Sequence, residues 1–137
     1  MDLKSMLKEL RQVTRIAGLK PSDIRISSGS AMMFYGLRET TNDVDASVPS
    51  EIFQRLVNDK RFQVIEYKSI LNGKNRMMVR FRKVDFHNED DIPELKGPTK
   101  DFGGYRVDTP TLILKMKQML GRSKDQAGID LLMGYVE

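Results

Sequence analysis

The sequence predicts a small α+β (α/β) domain: a mixed β-sheet flanked by helices, with a helix pair at its C-terminal end. Three observations lead there. Apolar residues recur at three- and four-residue steps near the start of the chain (Leu3, Met6, Leu7, Leu10, Val13, Ile16, Ala17) and again late in it (Leu112, Ile113, Met116, Met119, Leu120). Between them lie short β-rich runs, Asp43 to Val48, Phe62 to Tyr67, Arg76 to Phe81 and Val84 to His87. Gly and Pro fall at the boundaries of these runs, so helices and strands alternate with adjacent strands in the middle.

The first helix is amphipathic and stops at Gly18. Pro21-Ser22-Asp23 makes a turn, and Ile24 to Ser27 a short strand. A second, almost wholly apolar helix is expected from Ser30 to about Gly36, buried against the sheet through Met32, Met33 and Phe34. Asp43 to Val48 alternates, which puts Val44, Ala46 and Val48 on one face and the acids on the other. Pro49-Ser50-Glu51 opens a third helix with Ser50 as N-cap and Ile52, Phe53, Leu56 and Val57 as its apolar stripe. Asn72-Gly73 is a hairpin-type turn between Phe62–Tyr67 and Arg76–Phe81. Val84 to His87 alternates again. The stretch from Asn88 to Asp101 has no period and is expected to be a loop, and Gly103 to Val107 holds a short strand. Pro110 stands in the first turn of the next helix, where its missing N–H costs nothing. Gly121 ends that helix, and a last one, about Ser123 to Met133, turns Ala127, Leu131 and Leu132 inward.

One domain spanning residues 1–137 is expected from the length, which suffices to bury roughly two-thirds of the unfolded surface. The chain has no Cys and a single His, which excludes disulfides, thiolate metal sites and a His-rich zinc site. Apolar runs fall far short of the ~20 residues that span a bilayer, and Met-Asp-Leu-Lys lacks a signal-peptide core. A cytoplasmic protein is expected. Net charge is +4 and the pI about 9.4. The excess gathers in Lys74, Arg76, Arg80, Arg82 and Lys83, and in Lys115, Lys117, Arg122 and Lys124, which suits a polyanionic ligand. The nine Met residues fall mostly at apolar positions and fill core.

The chemistry concentrates in two places. Ile26-Ser27-Ser28-Gly29-Ser30 ends a strand in Gly-Ser and begins a helix; Gly29 lacks the Cβ that would block a phosphate, and helix N–H groups favour an anion. Beyond Ser30 and twelve intervening residues, Asp43 and Asp45 stand at i and i+2 of an expected strand, hence on one face. Asp85 sits on a later strand between apolar residues, where an unpaired carboxylate is costly and a cation would relieve it. His87 shares Asp85's face if the strand runs without a bulge. Three carboxylates on neighbouring strands are an economical way to hold two divalent cations ~3.5–4 Å apart, the arrangement that stabilises attacking and leaving oxygens in nucleotidyl transfer.

Gly29-Ser30, then Asp43-Val44-Asp45, then Asp85 resembles the signature of the nucleotidyltransferase superfamily related to DNA polymerase beta. The wider pattern is similar to its small prokaryotic members, the minimal nucleotidyltransferases and the AbiEii-like toxins of toxin–antitoxin pairs. Gly36-Leu37-Arg38 and Thr41 precede the acids as in those families, and Lys115 with Arg122-Ser123-Lys124-Asp125 matches their C-terminal helix pair. The resemblance implies a nucleotidyltransferase-like domain in which Asp43 and Asp45 bind both Mg2+ (or Mn2+) ions. Asp85 would bind one ion and help deprotonate the acceptor hydroxyl. Gly29 and Ser30 would hold the β- and γ-phosphates, with Lys115 and Lys124 at phosphate or acceptor. It further implies transfer of a nucleoside monophosphate, AMP from ATP as the expected case, to a hydroxyl on a protein or RNA, in a toxin–antitoxin or phage-defence setting. Two features depart from the pattern: the chain is shorter than most AbiEii-like proteins, so a separate acceptor-recognition domain is not expected, and Gly128 stands where an acid often follows. A non-enzymatic alternative is an antitoxin or regulator that uses the same fold to bind a partner protein or nucleic acid.

Overall fold

The computed structural model describes residues 1–91 and 96–136. Five helices surround one seven-stranded mixed sheet. In chain order these are α1 (Leu3–Ile16), β1 (Arg25–Ile26), α2 (Ser28–Phe34), β2 (Val44–Val48), α3 (Ser50–Val57), β3 (Gln63–Lys68), β4 (Asn75–Phe81), β5 (Val84–Asn88), β6 (Thr99–Phe102), β7 (Tyr105–Asp108), α4 (Pro110–Leu120) and α5 (Gln126–Val136). The strand order is β3-β4-β5-β2-β1-β7-β6. β2 runs parallel to β5 and β1 parallel to β7; the other neighbours are antiparallel.

Alternation decides which face of the sheet is wet. Ile26, Val44, Ala46, Val48, Val79, Val84, Phe86 and Val107 are buried and join Met6, Leu10 and Val13 of α1 and Phe53 and Leu56 of α3 in one core. The residues between them, Arg25, Asp45, Ser47, Asp85 and His87, fall on the opposite, polar face. Asp2 caps the first turn of α1 by accepting from the Ser5 N–H at 2.8 Å, and the helix stops before Gly18, as its sequence predicts, with Gly18 at φ +68°. α4 likewise begins at Pro110 and ends at Gly121, whose φ of +59° is the left-handed conformation that glycine adopts without strain.

Several expectations are corrected. α2 starts at Ser28, two residues before the expected Ser30. Ser50 is not the N-cap of α3; Pro49 holds that position, and the Ser50 hydroxyl instead donates to Asn88 and Asp90. The stretch from Asn88 to Asp101 is not a loop throughout, because β5 reaches Asn88 and β6 begins at Thr99; residues 92–95 lie outside the described residues. β6 escapes a periodicity search because Thr99-Lys100-Asp101-Phe102 is an exposed edge strand with little to bury. The hairpin signal was present in Gly103-Gly104, whose φ values of +60° and +92° make the turn into β7. Finally, Met119, Ala127 and Leu131 are exposed, whereas Leu132 of α5 is buried, as is Lys117 of α4. Among the described residues, no helix is long and apolar enough to cross a membrane.

Candidate active site

The polar face carries a row of charged side chains. In the parallel β2–β5 pair, Asp45 is the register partner of Asp85, and in the antiparallel β4–β5 pair Asp85 faces Arg80. Neighbouring strands lie about 4.8 Å apart, so Asp45, Asp85 and Arg80 stand side by side on one surface. Asp85 is buried, and Arg80 reaches across to fork it, Nε donating to Oδ1 at 2.7 Å and Nη2 to Oδ2 at 3.3 Å. Among the described residues no guanidinium forks Asp45 in this way, although the charges of Arg122 and Arg38 reach it. Burial first, then the charges of Asp85 and Asp43, push its carboxyl up to about 6. Asp43, expected on the same strand, instead lies just before its first residue, Val44; it is exposed and lines the same cleft.

The three predicted acids are therefore brought to one place. Among the described residues, no three acid or imidazole side chains are disposed to hold an ion as they stand, since both oxygens of Asp85 engage Arg80. The donor chemistry nevertheless fits a hard divalent cation: oxygen ligands only, and a crowding of negative charge around Asp45 that a cation would relieve.

The turn from β1 into α2 forms the rim beside the acids. Ser27 is extended (φ −130°), but Ser28 is left-handed at φ +57°, a conformation costing a non-glycine residue of the order of 1–2 kcal/mol. The Ser30 hydroxyl holds this bend in place: it donates to the Ser27 carbonyl at 3.0 Å and accepts from the Asp45 N–H at 2.9 Å. Ser30 is thus buried and fully engaged, and Ser27, Ser28 and Gly29 are the residues of this segment that line the cleft. Gly29 has a specific reason to be glycine. A Cβ there would stand 2.1 Å from Nη1 of Arg38, whose guanidinium lies against the bend while its Nε donates to the Thr40 carbonyl.

A further wall comes from α4 and the turn into α5; α4 adjoins the bend, its Met116 Sδ lying 4.0 Å from the Ser28 hydroxyl. Lys117 is buried, with its Nζ donating to Asp125 Oδ1 at 3.3 Å, and Arg122 forks the same carboxylate at 2.7 and 3.1 Å. Burial alone would raise the Asp125 carboxyl, but hydrogen bonds from Arg122 and Lys117 outweigh it and hold the group below its usual range. Gly128 makes room for this triad, since a Cβ there would meet Lys117 Cε at 3.2 Å. Lys124 lines the cleft; Lys115 is exposed and does not.

The cleft so enclosed has a volume of about 730 Å³. Its floor continues along the strands to His87, which has no bulge between it and Asp85 and so shares that face. The His87 Nδ1 lies 3.2 Å from the Tyr67 hydroxyl, and burial pushes the imidazole below its ordinary value. Arg25 and Asp108, a buried pair joined at 2.5 Å, close the far corner. Lys117, Arg38 and Ser28 have no assigned role in the sequence reading. For Lys117 a signal existed: it falls four residues after Ile113, on the apolar stripe, where a solvated lysine does not belong. Comparison of the chain with protein-family models, curated proteins and solved structures returns no match.

Proposed function

We propose that this chain is a metal-dependent nucleotidyltransferase of the polymerase beta-related type. It would move a nucleoside monophosphate, AMP from ATP as the expected case, to a hydroxyl on a protein or RNA. The observation that carries the reading is the register match of Asp45 with the buried Asp85 on adjacent parallel strands, with Asp45 and Asp43 lining a cleft that has cationic walls.

Asp43, Asp45 and Asp85 would hold Mg2+ or Mn2+, which supplies charge stabilisation for the attacking and leaving oxygens. The cleft's own residues account for the remainder. The triphosphate would lie against the Ser28–Gly29 bend, where the space a Cβ would take is filled by the guanidinium of Arg38, a cation for its phosphates. Lys117, Arg122 and Lys124 face it from the other wall and neutralise charge as pyrophosphate departs. The acceptor oxygen attacks the α-phosphorus, the bond to the bridging oxygen of pyrophosphate breaks, and the hydroxyl proton passes to Asp85. Ser30 acts as a positioning residue, tying the phosphate bend to the backbone of Asp45.

The test is transfer of α-labelled nucleotide to cellular RNA or protein in the presence of Mg2+. The Asp43→Asn and Asp45→Asn variants should lose transfer while remaining folded by circular dichroism; transfer undiminished in either variant contradicts the assignment.

A further inference from the structure

One part of the cleft differs in character from the rest. Leu112, Met116 and Leu120 stand at i, i+4 and i+8 of α4, a straight stripe along one side of the helix, and all three line the cleft. Facing the same space from the β3–β4 connection are Ile70 and Leu71. Ile70 is 63% exposed, the most exposed large apolar side chain among the described residues, although it stands at a hairpin tip where polar residues are the rule. The tip's polar groups are turned onto one another. The Leu71 N–H donates to the Ser69 hydroxyl, the Gly73 N–H to the Ser69 carbonyl and the Ser69 N–H to the Lys74 carbonyl. Ile70 and Leu71 thus offer the cleft aliphatic surface, next to Lys68 and Ser69, which line it as well.

We infer that Ile70 and Leu71 with the Leu112–Met116–Leu120 stripe form a slot for the nucleobase, and that this slot accepts any base. The inference rests on the nucleotidyl-transfer reading and departs from its expectation of ATP, since the slot does not select the base. The occupant follows from continuity with the charged part of the cleft: a ligand whose phosphates meet Arg38, Lys117 and Arg122 must carry a planar, largely apolar end to use the aliphatic walls. Aliphatic side chains present no donor or acceptor to a base edge. They reward contact area alone, which every base supplies.

The experiment is calorimetric titration, with Mg2+, of the four ribonucleoside triphosphates and of inorganic tripolyphosphate as the base-free probe. Wild type should bind all four nucleotides with dissociation constants within about fivefold of one another, and each more tightly than tripolyphosphate. Ile70→Asp, at an exposed position that leaves the core untouched, should weaken all four by about tenfold and tripolyphosphate hardly at all. Leu120→Gln should act in the same direction. Tripolyphosphate bound as tightly as the nucleotides, a strong preference for one base, or nucleotide affinities unchanged in Ile70→Asp would overturn the slot while leaving the phosphate site standing. No binding of tripolyphosphate or of any nucleotide would overturn the parent reading and the slot together.

Discussion

Asp45 is the residue at which the cost of the site is most visible. Its carboxyl titrates near 6 in the folded chain and near 3.8 when unfolded, so the native state binds more protons between those values. Stability from this group is intact below pH 4, declines as pH rises to about 6, and stays reduced above. Asp45→Asn removes the charge and should raise the melting temperature at pH 7.5 in chelator, by at most about 3 kcal/mol of stability, and should leave it nearly unchanged at pH 4. A variant less stable at pH 7.5 than wild type would show that the carboxylate is not strained. Arg80 poses the complementary question. Its half-exposed guanidinium holds both oxygens of Asp85, so a cation must compete with it. Arg80→Gln should tighten Mn2+ binding about fivefold, the equivalent of roughly 1 kcal/mol for a pair of this exposure. Unchanged or weaker binding, measured by electron paramagnetic resonance of free Mn2+, would mean that Arg80 supports the acid instead. At Gly29 the added methyl of Gly29→Ala meets the far end of a flexible side chain. The expected outcome is a melting temperature close to wild type with weakened triphosphate binding, as Arg38 is pushed off the bend; a large loss of stability would point to a packing role.

The elements show which signals survive from sequence to structure. The Asp43–Val48 and Val84–His87 runs were legible because their alternation separates a wet face from a buried one, and the facing of Asp45 and Asp85 follows from it. The pairing itself was not legible, since which strands lie side by side depends on contacts distant in the chain. Edge strand β6 and the early start of α2 escape for a different reason: β6 is exposed and so has no buried face to betray it, and α2 opens through the left-handed Ser28 and small buried residues rather than an apolar stripe. Ser30 was recognised as belonging to the site but for its hydroxyl's reach to phosphate, whereas that hydroxyl joins the bend to β2. At the α4–α5 junction, Lys115 was singled out and Lys117 was the residue turned inward, because charge alone does not reveal helical phase. The buried Lys117–Asp125–Arg122 triad should behave as a structural joint. Asp125→Ala leaves two cations facing each other around Gly128 and should cost about 3 kcal/mol, measured by urea denaturation. A loss below 1 kcal/mol would show that water already screens the triad.

At the scale of the whole molecule, one seven-stranded sheet divides the chain's labour: its apolar face carries the core with α1 and α3, and its polar face carries the acid row, walled by the β1–α2 bend and the α4–α5 junction. The mild positive charge of the chain finds its use here, since Arg38, Lys117, Arg122 and Lys124 gather around a cleft whose floor is acidic. A floor of carboxylates with walls of cations suits an anion that arrives with its own divalent metal, and suits either component alone much less well. The most direct measurement is calorimetric titration of ATP into wild type and Asp45→Asn, with Mg2+ and then with excess chelator. The account predicts binding by wild type in Mg2+ that disappears in chelator and in the variant. ATP binding that persists without metal or without the Asp45 carboxylate, or its absence from wild type in Mg2+, would contradict it.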